Sequence, residues 1–220
     1  MKELKKTVEE LTEEVRKLSR ELTVHQWKRR EIISFFLITV LAGESLKIGL
    51  ESFNKTIDKF ECSIDFFINY WTIPIIFLTN LLRLYIGNIL YLIDLKRRTA
   101  TAFPWITTVF VFFIQFSLLV LIGMRMDSQR IFYNLLMFLL SIDIIWILVI
   151  WILKKKGVES FKDLFVAQKW AVLNLYGILV ILFKIENYWN YIYIDYAIGL
   201  LFIIIFIFDI SFDYFRLFKN

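Results

Sequence analysis

The chain has 220 residues, 59% of them hydrophobic and 21% charged, with a formal net charge of +5. Ordinary soluble domains are nearer about 45–50% apolar, so that class is excluded. One cysteine (Cys62) and one histidine (His25) leave no internal disulfide, no Cys- or His-based metal centre, and no cofactor ligand set.

Residues 1–30 differ from everything that follows. Leu4, Val8, Leu11, Val15, Leu18 and Leu22 recur at alternating spacings of four and three. That is a heptad seam with Val8, Val15 and Leu22 at a and Leu4, Leu11 and Leu18 at d, a pattern that favours a parallel two-stranded coil. The expectation is a cytoplasmic amphipathic or coiled-coil helix that forms a homo-oligomer or docks a cytosolic protein partner. Its lysines alternate with glutamates, so no nucleic-acid patch is expected. The segment HQWKRRE (His25–Glu31) puts a tryptophan beside basic residues, an interfacial anchor on a cytoplasmic face. No short basic region leads into an apolar one, so no cleavable signal peptide is expected.

Residues 31–220 read as an all-α transmembrane bundle with spans near 32–50, 74–94, 102–123, 131–153, 170–183 and 191–208. Glu44 and Lys47 lie late in the first span and Asp195 near the start of the sixth, which makes them candidates for an outer vestibule. Phe60–Trp71 mixes aromatic and acidic residues and is expected to lie at the interface and bend at Pro74. On the second span, Asn80, Arg83, Gly87, Tyr91 and Asp94 share one stripe, with Asn88 nearby. Gln115 lies in the third span, Asp143 in the fourth and Asn174 in the fifth; Asp209 closes the sixth. Lysine and arginine concentrate at the N-terminus, in 94–102, in 154–169 and at the C-terminus. Six spans in the plasma (inner) membrane, with both termini cytoplasmic, satisfy the positive-inside rule at every loop.

Arg83 falls near the middle of its span, where a charge costs roughly 2.5–3.5 kcal/mol on insertion scales and calls for a partner. Asp143 lies at a similar depth and Gln115 close to it. The expected site is an Arg83–Asp143 ion pair with Gln115 and Asn80 around it. Small-xxx-small motifs are nearly absent by eye, so polar side chains are the expected glue between helices; they are equally suited to lining a path.

No phosphate-binding glycine loop, zinc-protease motif or nucleophile elbow is present, so no catalytic residue and no enzyme are expected. In layout alone the chain is similar to the small polytopic membrane proteins that prokaryotes pair with a cytosolic partner, membrane components of defence systems included. The leading expectation is an oligomeric channel-like or membrane-perturbing protein with a polar stripe around Arg83. The alternative is a non-conducting scaffold or sensor that recruits a partner through residues 2–24. A small-molecule transporter ranks third, because prolines and glycines are few and no internal repeat is seen.

Overall fold

The structure, a computed structural model, describes residues 2–59, 71–98, 102–155, 164–187 and 192–218. The side chains of Leu4, Val8, Leu11, Val15, Leu18, Leu22, Asp94 and Asp195, and the expected interfacial segment at 60–70, lie outside the described residues. Among the described residues six helices follow in order: α1 (Lys2–Lys59), α2 (Thr72–Arg98), α3 (Ala102–Met124), α4 (Gln129–Lys155), α5 (Leu164–Asn187) and α6 (Ile192–Phe218). No strand occurs among the described residues. The chain divides into two compact units, Met1–Leu37 and Ile38–Asn220.

Among the described residues, four stretches are long and apolar enough to cross a membrane: Ile32–Asp58, Thr72–Leu92, Ile106–Met124 and Gln129–Ile152. The other two expected spans fall on α5 and α6, where the described residues of α6 supply a shorter apolar stretch, Tyr196–Ser211. The outer surface fits a lipid surround. Phe36, Phe110, Phe138, Val172 and Leu200 are exposed, whereas Asn80, Arg83, Gln115, Asp143, Asn174 and Asp209 are buried. Large apolar side chains outside and buried charges inside are what a lipid surround would favour.

Local sequence explains where the helices begin. Both prolines of the chain, Pro74 and Pro104, sit in the first turn of α2 and of α3, where a missing N–H leaves no helical hydrogen bond unmade. The α3–α4 connection is a tight turn closed by Arg125 N–H to Ile122 O and Ser128 N–H to Arg125 O. Ser128 then opens α4, its carbonyl accepting from Phe132 N–H at 2.9 Å. Within the helices, hydroxyls are satisfied locally. Ser45, Thr56, Thr79 and Ser141 each donate to the carbonyl four residues back, at 2.7–2.8 Å.

Within the Ile38–Asn220 unit, α2–α6 close into a ring. Going round it, α6 packs on α2, α2 on α3, α3 on α4, α4 on α5, and α5 back on α6. The Ile38–Lys59 part of α1 lies outside this ring against α2 and α3. Thr39 meets the Tyr85 hydroxyl at 3.3 Å, and Ser45 Oγ lies 3.4 Å from the Phe116 carbonyl.

The tightest approach is at Gly49. A Cβ there would lie 2.5 Å from the Phe77 ring, and a Cβ on Gly123 would lie 3.2 Å from the Gly49 backbone. Ser45 and Gly49 form a small-xxx-small pair. Such motifs are few in the sequence, and this one lets α1 approach α3. Gly177 serves α5 in the same way, since a Cβ there would meet Leu140 of α4 at 3.2 Å and Phe202 of α6 at 3.5 Å.

A candidate polar site inside the helix ring

Each ring helix delivers at least one polar side chain to the interior. The depth of those residues follows from where each helix begins, and their direction from the apolar faces on either side. On α2, Arg83 and Asn88 lie between buried Ile76, Phe77 and Leu81 on one side and Leu92 on the other. On α4, Asp143 lies between Leu136, Leu139 and Leu140 on one side and Trp146, Ile147 and Ile150 on the other. Gln115 of α3 is flanked by Phe112 and by Phe116, Leu119 and Ile122. The polar groups therefore make one layer with apolar layers on both sides. One of those layers is a cluster of Trp146 and Ile150 with Tyr91 and Val111 packed against it, and Tyr91 meets Phe112 edge-on at 6.1 Å.

Hydrogen bonds link the layer from helix to helix. Arg83 Nε donates to Asp209 Oδ2 in a buried salt bridge, and Arg83 Nη1 donates to Asn174 Oδ1 at 2.5 Å. Asn174 Nδ2 donates to Asp143 Oδ2 at 2.6 Å, and Gln115 Nε2 donates to Asp143 Oδ1 at 2.7 Å. Asn88 Nδ2 in turn donates to Gln115 Oε1 at 3.0 Å. The chain of bonds runs from α2 through α3, α4 and α5 back to α2, with a branch to α6.

Asp143 terminates two polarised chains, one from Arg83 through Asn174 and one from Asn88 through Gln115. Each carboxylate oxygen receives an amide N–H, the arrangement that offsets loss of water around a buried charge. On the branch, Asp209 Oδ1 makes no hydrogen bond and faces Lys169 Nζ at 4.0 Å. Arg83 and Lys169 thus balance Asp143 and Asp209. Lys169 is the most open member, with its side chain 18% exposed.

Arg83 reaches two helices because it crosses the ring. The same α2 face carries Gly87, where a Cβ would lie 3.2 Å from the Trp170 indole of α5. A larger residue at 87 would press on Trp170, one residue from Lys169. Beyond the polar layer, α4 and α5 are tied again where Lys184 Nζ donates to the Tyr133 hydroxyl at 3.3 Å. The ammonium also stands over the Tyr133 ring, 4.6 Å from its centre.

Several sequence expectations change in detail. Arg83, Asp143, Gln115 and Asn88 share one network, but the direct ion-pair partner of Arg83 is Asp209, and Asp143 is reached through Asn174. Asn80 is buried but bonds within its own helix, Nδ2 to Ile76 O at 2.8 Å, and so is not part of the shell around Arg83. Glu44 and Lys47 are exposed on α1. Asn174 and Asp209, named in the sequence but given no role there, turn out to be central. Their signal was available: each is a polar residue within or at the end of an apolar run. Among the described residues, no group of three His, Cys, Asp or Glu side chains is placed to hold a metal ion.

No protein-family model, curated protein or solved structure matches this chain.

Proposed function

We propose that this protein is a membrane-embedded scaffold or sensor whose ring of helices is locked by the Arg83 network, with its N-terminal helix presented to a cytosolic partner. One observation carries this reading: the polar layer is sealed above and below by large buried apolar side chains on the same helices. Residues lining an open ion path face water, whereas these face one another. In a bilayer, helices gain little from apolar contact with each other, and interhelical hydrogen bonds supply the specificity that holds a bundle in one arrangement.

The test is ion flux from purified protein in liposomes, alongside an assembly assay of full-length protein. The scaffold reading predicts no flux above empty liposomes, and loss of partner-dependent function when Leu11 and Leu18 both become charged. Flux by the parent protein would overturn it.

A second reading, a gated polar path, is favoured by the branch at Lys169. There the network comes nearest the surface, and Asp209 Oδ1 has no hydrogen bond. It predicts flux that changes sharply in Arg83→Gln, since a basic residue on a path biases which ions pass.

A further inference from the structure

We propose that the outward face of α1 between Val40 and Glu51 is an interface with a second copy of this chain. In the Ile38–Lys59 part of α1, one side packs into the bundle through Ser45 and Gly49. The other side carries Val40, Gly43, Glu44, Lys47 and Glu51, all exposed. These residues share a stripe at 100° per residue. Glu44 and Lys47 fall within Ile32–Asp58, a segment long and apolar enough to cross a membrane. Among the described residues, neither has an ion pair or hydrogen bond. Unpaired charges facing lipid are costly and call for a partner.

The chemistry of the stripe selects the partner. Signs alternate along it, Glu44, Lys47, Glu51, so the face is complementary to itself. Copies inserted in the same orientation bring their α1 helices together in parallel. A two-fold axis then makes each contact occur twice, Glu44 with the partner's Lys47 and the reverse. The axial offset between the two positions is about 4.5 Å, within reach of both side chains. Gly43 shares the stripe, with nothing within 4 Å of where a Cβ would be, so a second helix backbone has room to approach. This interface holds whether or not the bundle conducts ions.

Cysteine cross-linking of the full-length protein in liposomes tests it, in a background where Cys62→Ser leaves no other thiol. Gly43→Cys should cross-link between copies at least tenfold faster than Phe110→Cys, which is exposed on α3. Adding Glu44→Lys should slow the Gly43→Cys reaction at least tenfold. Combining Glu44→Lys with Lys47→Glu should restore it to within about threefold. Equal rates at positions 43 and 110 would overturn the proposal without relying on any charge variant. So would a Gly43→Cys rate that Glu44→Lys leaves unchanged, which is the result expected if lipid or a different subunit covers this face.

Discussion

At the residue scale, two asparagines on different helices show what burial alone cannot distinguish. Asn80 and Asn174 are both buried, yet Asn80 bonds only to its own helix, while Asn174 accepts from Arg83 and donates to Asp143. Replacing Asn174 with alanine leaves a charged donor and a carboxylate oxygen unmatched. An unmade hydrogen bond of that kind costs about 1–3 kcal/mol, more where charge is involved. Asn174→Ala is therefore expected to lower unfolding stability by about that amount, measured by denaturation in mixed micelles. Asn80→Ala should cost clearly less. Equal losses would mean that Asn174 bridges nothing.

The two aspartates separate in the same way. Asp209→Asn removes the direct counter-charge of Arg83, and breaking a buried pair costs roughly 3–5 kcal/mol in soluble proteins. Asp143→Asn still leaves Arg83 paired with Asp209, so its effect should be smaller. The opposite ranking would restore the Arg83–Asp143 pair that depth along the sequence suggested.

At the element scale, the sequence made the layer legible but not its connections. Arg83, Gln115 and Asp143 stand near the middle of their apolar runs, so their common depth can be counted from residue numbers. Asp209 cannot be placed that way. Hydropathy ends the sixth span just before it, because charged and aromatic residues follow, yet α6 continues through Asp209 to Phe218. How far α6 slides along α2 is set by packing, as where a Cβ on Gly199 would come within 3.0 Å of the Thr72 side chain, and no single-helix pattern encodes that offset. The Ser45–Gly49 motif was legible but was overshadowed by Glu44 and Lys47 beside it, which lie on the opposite face.

Glycine substitutions test this helix packing. Gly49→Leu forces a side chain into Phe77, and overpacking of this kind typically costs about 1–3 kcal/mol. Gly43→Leu on the same helix meets nothing within the chain and should leave the unfolding of the isolated protomer unchanged. If both variants unfold alike, α1 does not pack on α2 and α3 as described.

At the scale of the whole molecule, one buried polar layer sits between buried apolar layers, and many bulky apolar groups remain on the exterior, the surface a lipid surround would favour. Such a bundle has little general drive to collapse, so a specific network must choose its arrangement. Arg83 is the hub because it bonds from α2 to both α5 and α6, closing the ring across its middle. Charge placement adds a topological prediction. Cysteine labelling from either side should find the N-terminus, 94–102, 154–169 and the C-terminus all on the cytoplasmic face. Labelling of any one of them from outside would revise the six-span arrangement.

The measurement that tests the central claim most directly is a pair of double-mutant cycles on unfolding of the full chain in mixed micelles, Arg83→Met with Asp209→Leu and Arg83→Met with Asp143→Leu. Coupling in such cycles isolates the interaction from the general cost of each substitution. If Arg83 holds the ring together through Asp209 and, at one remove, through Asn174 and Asp143, both cycles give favourable coupling and the Asp209 cycle gives the larger. Additive losses in both would mean that Arg83 is bonded to neither chain of the network, and that the ring is held by packing alone.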